Sequence, residues 1–328
     1  MSFVAYAVSA AEPLTLVQTI VLPDVPPGPY ADHMALDVTG QRLFVTPQAQ
    51  SAVAVLDLKA GNVLRAVRGF GNPHAVLYLR DRNRLFVADG KGAVVILDAN
   101  SYRRLHAIAL EPNADAIAYD SRTGVLYVGN GGADAGKTYS FVSLIDTATE
   151  SKLADIRIET RALEAMVVDE TQGRLYVNMP EENQIGVLDL GQRRLVHSWQ
   201  LSLARRNEAF ALDTDHHRLY VGCNEGDVRG SLLVVDTLTG KELQKLPLGS
   251  WVDSMFYDAR RQRVYASTGT GAVFSYERGG DGRLRQLENV DTAVMARTSL
   301  FSAELDRLFV MVPHLGWTSA KVLVFKPQ

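Results

Sequence analysis

The sequence predicts an all-β fold, a seven-bladed β-propeller of four-stranded antiparallel blades closed into a ring. Three observations predict it: a sevenfold internal repeat, short apolar runs without helical periodicity, and a lone strand-like segment ahead of the first repeat.

The repeat shows most clearly in its second apolar run. "RLFVT" starts at Arg42, "RLFVA" at Arg84, "VLYVG" at Val125, "RLYVN" at Arg174, "RLYVG" at Arg218, "RVYAS" at Arg263 and "RLFVM" at Arg307. Successive starts lie 41 to 49 residues apart, the period of a propeller blade. A first strand precedes each run, as in "HMALD", "HAVLY", "DAIAY" or "EAMVV". A third follows, as in "AVAVLDL" or "FVSLIDT", and then a more variable fourth, as in "NVLRAVRG". Val, Leu, Tyr and Phe fill these runs, and Gly, Asp and Asn bound them.

The last repeat ends on a third strand, "KVLVFKP" (321–327), so its blade lacks a fourth. The segment "LTLVQTIVLP" (14–23) has no local partner. Pairing it with the C-terminal strand closes the ring and removes an exposed edge. Residues 12–328 then form one domain. Residues 1–11 read as a leader or the rear of a signal peptide, with small residues at Ala7, Ser9 and Ala11. That reading places the protein in the periplasm or outside the cell.

Composition excludes several classes. The 328 residues are 47% apolar and 22% charged, with a net charge of −3, so no basic field exists to hold a nucleic-acid backbone. Cys223 is the single cysteine, which excludes an internal disulfide or a thiolate cluster. No stretch has the ~20 apolar residues of a membrane helix. A monomer is the default state.

"FVSLIDTATESKL" (141–153) together with "LYVGN" (126–130) resembles the YVTN-repeat, YncE-like family of seven-bladed propellers. The resemblance covers essentially the whole chain and implies the fold. It does not imply one activity, because such propellers serve as enzymes and as binding scaffolds.

Some recurrent polar residues read as structural. Asp57, Asp98, Asp146, Asp189 and Asp236 end third strands just before tight turns, where a carboxylate accepts backbone N–H groups. The Arg that opens most second strands also sits in a turn. "GNGGADAG" (129–136) is Gly-rich but lacks the Lys and the helix of a phosphate loop.

The residues that open the first strands read differently. They are His33, His74, Asp115, Glu164, Glu208, Asp253 and Arg297, each ten residues before the second-strand start except His33, at nine. First strands line the channel of a propeller, so these seven side chains should meet in a ring at its mouth. Neutral imidazole nitrogens with carboxylate oxygens suit Zn, Mn, Fe or Ni better than Ca or Mg. His33, His74 and Asp115 lead as metal ligands, with Asp253 completing the set. Glu164 and Glu208 are candidates to move a proton, and Arg297 to hold a substrate carboxylate. Loops on the same face add Tyr139, Arg161, Trp251, His314 and Trp317 as substrate-binding candidates.

The expected function is a metal-assisted lyase or hydrolase acting on a small anionic or sugar-like substrate. Two alternatives stand beside it. One is a scaffold that docks a protein or small polar ligand on the mouth face; the other is a carrier or maturation factor for a metal or tetrapyrrole.

Overall fold

A computed structural model describes residues 12–328; the expected leader, 1–11, lies outside the described residues. Seven antiparallel sheets form the ring. Their inner strands are Asp32–Asp37, Pro73–Leu79, Ile117–Asp120, Met166–Asp169, Asn207–Asp213, Val252–Asp258 and Thr298–Ser302, which open blades 1 to 7. The strand Leu14–Val21 pairs antiparallel with Lys321–Pro327, Leu14 opposite Pro327 and Val21 opposite Lys321. It supplies the missing fourth strand of blade 7, so the ring closes as the repeat predicts. Blade 6 departs from the four-strand pattern: Leu284–Gln286 and Val290–Asp291 both pair with Ala272–Arg278 and share its outer edge. Two single 3₁₀ turns, Gln48–Gln50 and Ala133–Ala135, are the only helical pieces among the described residues. None of the described helices is long and apolar enough to cross a membrane.

Both faces of each blade are buried against a neighbour, which is why the strands read as continuous apolar runs rather than alternating ones. In the second strand of blade 1, Leu43 and Val45 pack toward blade 7 while Phe44 packs toward blade 2. The same division repeats around the ring, giving one apolar cluster for each of the seven blade interfaces. The repeated aromatic of the second strand is fully buried at Phe44, Phe86, Tyr176, Tyr220, Tyr265 and Phe309. Truncating such a ring to Ala typically costs about 3–5 kcal/mol.

The turn residues behave as the sequence predicts. Asp57 accepts from the N–H groups of Lys59 and Ala60, Asp98 from Asn100 and Ser101, and Asp146 from Ala148 and Thr149. Arg174 and Arg218 cross to Asp189 and Asp236 of their own blades.

Candidate functional site at the channel mouth

The inner strands do not enter the channel smoothly. In blade 2, Pro73 pairs with Asp89 and Ala75 with Ala88, so His74 has no cross-strand partner. Glu208 is skipped in the same way between Asn207 and Ala209, and Asp253 between Val252 and Ser254. In blade 1, His33 and Met34 share one place in the ladder. In blade 3, Gly129 accepts from the Asp115 N–H and donates to the Ala116 carbonyl, again two residues against one. Each is a β-bulge, which bends the strand and re-aims the extra side chain. The bulges turn the ring residues toward the mouth.

Neutral side chains fasten these starts across blades. Asn178 Oδ1 accepts from the N–H groups of Glu164 and Ala165, at 2.8 Å each, while its Nδ2 donates to the carbonyls of Asn207 and Glu208. Thr46 Oγ1 lies between the carbonyls of His33 and His74.

A cavity of about 250 Å³ results, lined in part by His33, His74, Asp115, Glu164, Asp253 and Arg297. Tyr30 and Trp251 form aromatic walls beside them. Glu208 sits next to this cavity and lines an adjoining groove that shares Glu164.

One further residue lies at the centre, and the alignment of the repeats passed over it. Asp32 Oδ2 is 2.8 Å from His74 Nδ1, and Asp32 Oδ1 is 3.6 Å from His33 Nε2. His74 Nδ1 is also 3.4 Å from Asp115 Oδ2. Asp32, His74 and Asp115 each bring one donor atom to a common point, all within 4.8 Å of one another. His33, expected in that trio, stands just outside it, against Asp32. The signal for Asp32 was in the spacing: it lies ten residues before Arg42, the interval found in the other six blades, whereas His33 lies nine before it. Gln48 Nε2 donates to Asp32 Oδ2 at 2.8 Å, and the Asn72 amide meets His74 Nε2 at 2.7 Å, so both ligand groups are oriented from behind. Asn72 stands two residues before His74, on a connection that the sequence already places on the mouth face; Gln48 had no such signal.

Crowding sets the charges. Burial works against an ionised Asp32, but His33, the hydrogen bond from His74 and the charge of Arg297 hold its carboxyl below the usual range. Burial also opposes the His74 cation, yet the bond to Asp32 and the nearby carboxylates raise it to about 9. Asp115 is pushed up by burial and by Asp32, and Glu164 by burial and by Asp253. Glu208 rises to about 8 through burial and the charge of Glu164. The mouth holds more carboxylates than cations, so it either keeps protons or takes up positive charge.

The other candidates divide. Arg297 Nε stands 3.8 Å from Asp253 Oδ2, with its guanidinium 5.2 Å from the Tyr30 ring centre. Trp251 reaches the cavity and is 40% exposed. Tyr139 does not; it packs on Phe141 and lies 3.7 Å under the Arg157 guanidinium on the blade 3 flank. His314 Nδ1 bonds the Val25 carbonyl at 2.6 Å and braces a loop. Arg161 and Trp317 are exposed and line no part of the cavity.

Comparison with known proteins fits this architecture. No family model matches the chain. The protein YncE of Salmonella typhi is 32% identical over 99 residues, and YncE of Salmonella typhimurium 31% identical over 99 residues. Each match spans 29% of this chain and 27% of the relative, so only about a quarter of the relatives' length is matched. Among solved structures, a chain of a mitotic checkpoint complex superposes with a TM-score of 0.77 at 14% identity, covering 99% of this chain and 98% of that one. Hydrazine synthase of Kuenenia stuttgartiensis gives 0.75 at 15% identity over 95% of this chain and 97% of that one. The WD40 repeats of RRP9 give 0.76 at 13% identity over 96% and 100%. At such identities these likenesses speak for the fold alone. By its repeat and its closure the chain is a seven-bladed β-propeller, and over 99 of its residues it is similar to YncE.

Proposed function

We propose that the channel mouth binds a divalent metal through Asp32, His74 and Asp115 and acts on a small anionic substrate by metal-assisted hydrolysis or elimination. The observation that carries the proposal is the convergence of three donor atoms from three blades within 4.8 Å. Two of their separations, 2.8 and 3.4 Å, are close to the ~3–3.5 Å between adjacent ligands around an ion at about 2.0–2.2 Å. The mixed nitrogen and oxygen set favours Zn, Mn, Fe or Ni. A bound metal would polarise a substrate carbonyl or acidify a water. Arg297 would hold a substrate carboxylate, and Glu164 and Glu208, both pushed toward the protonated form by burial, would move a proton.

The test is calorimetric titration of chelator-treated protein with Zn²⁺ and Mn²⁺. One equivalent should bind, and His74→Ala and Asp32→Asn should each weaken uptake by more than about 100-fold, beyond the loss typical of an outer partner. Circular dichroism should stay unchanged. Absence of saturable binding by either ion would remove the metal reading.

A second reading, a docking scaffold, draws on a different observation. Exposed apolar side chains on the mouth-face loops, including Tyr30, Val228, Trp251, Val294, Leu315 and Trp317, gather on blades 5 to 7 and the entry to blade 1. Among the described residues, none of the large exposed apolar side chains lies on the mouth-face loops of blades 2 to 4.

A further inference from the structure

Beside the mouth, between blades 4 and 5, runs a groove of about 470 Å³, lined by residues that include Glu164, Glu208, Glu181, Asn183, Arg205 and Arg206. That volume is in the range of small-ligand sites. Its charges are arranged in order. Glu164 and Glu208 stand at the inner end, where the strands enter the channel, and Arg205 and Arg206 stand farther out on the connection into blade 5, where they outnumber the one outer carboxylate, Glu181 of the blade 4 loop. Opposite charges facing one groove would ordinarily pair with each other. Here, among the described residues, neither arginine has a carboxylate oxygen within 4.0 Å. Glu208 Oε2 is buried and has no hydrogen-bond partner.

The arginine end is built rather than loose. Arg206 has φ of 54°, a left-handed backbone that residues other than glycine seldom adopt. Its N–H donates to Asn183 Oδ1 at 2.8 Å, and its carbonyl accepts from the Asn224 N–H at 3.0 Å. The same step recurs at Asn113, Trp251 and Met295, two residues before other ring positions. The loop shape is therefore shared, and the guanidinium is what blade 5 adds.

We propose that this groove binds a zwitterionic chain end, an amino acid or short peptide whose ammonium lies between Glu164 and Glu208 and whose carboxylate lies on Arg205 and Arg206. A simple anion would leave the buried Glu208 Oε2 without a partner, and a simple cation would meet the guanidinium groups. One molecule carrying both charges satisfies both ends with charge-assisted bonds. The subsite goes beyond the metal reading and does not depend on it.

The probe is glycylglycine, followed by NMR titration of ¹⁵N-labelled protein kept in chelator. The free dipeptide should bind saturably, and its N-acetyl and C-amide forms should each bind at least about tenfold more weakly. The Arg205→Ala, Arg206→Ala double variant should lose the preference for the free carboxylate and keep that for the free amine. Glu208→Gln should do the reverse, and His74→Ala should change neither, which separates this subsite from the metal site. Absence of saturable shifts, equal binding of the capped forms, or preferences unaltered in both groove variants would each overturn the proposal.

Discussion

The two faces of the ring use the same acids in opposite ways. On the face away from the mouth, Asp98, Asp146 and Asp189 accept from backbone N–H groups two or three residues downstream. The N–H groups of Ser101, Thr149 and Gln192 hold those carboxyls below the usual range. At the mouth, Asp115, Glu164 and Glu208 go the other way, pushed up first by burial and then by a neighbouring carboxylate, Asp32 for the first, Asp253 for the second and Glu164 for the third. Local donors spend a carboxylate on its own turn. Where the donors are missing, the charge remains available to whatever enters. A recurring acid in a repeat protein therefore points to a ligand only where its own blade fails to satisfy it.

That contrast can be broken by substitution. The largest effect is expected from Asn178→Ala, which removes the side chain joining the starts of inner strands 4 and 5. It leaves buried N–H and C=O groups unpaired and should cost about 2–3 kcal/mol in denaturant unfolding. A loss below the error of extrapolation would show that the apolar interfaces alone position the mouth.

A middle-sized effect concerns pH. Glu208 holds its proton up to about 8 in the folded chain against an ordinary 4.5. The folded state then carries more protons than the unfolded one across that window, so stability falls as pH rises through it. His74, raised from 6.5 to about 9, is a base whose stabilising charge is present below 6.5 and lost as pH climbs to about 9. The thermal midpoint of metal-free protein should fall steadily from pH ~5 to ~9, and Glu208→Gln should flatten the lower part of the decline. A midpoint that rises across this interval would contradict the charge assignment.

The smallest effect is expected on the opposite face. Asp146→Ala removes two hydrogen bonds inside one exposed turn. It should move the midpoint by no more than about 2 °C and leave metal uptake unchanged. A change in metal uptake would mean that the two faces are coupled.

Blade number, ring closure by 14–21 and the position that faces the mouth were all legible in the chain, because strand pattern and turn chemistry are local. The turn role of Asp57 and its equivalents was legible for the same reason. The identity of the central carboxylate was only half legible: the ten-residue interval points to Asp32, but the first strand was aligned from His33, at nine. A regular strand would send two neighbours to opposite faces, but the bulge in blade 1 brings both to the cavity, Asp32 into the trio and His33 beside it, and no composition rule specifies that bulge. The loop candidates were the least legible. Tyr139 and Trp251 look alike in sequence, yet Arg157 keeps one on the flank while a left-handed step carries the other into the cavity. By itself, then, the sequence determined the ring and where its polar groups gather. Which of those groups touch was decided only by tertiary structure, because contacts between blades depend on register and side-chain direction set by residues distant in the chain.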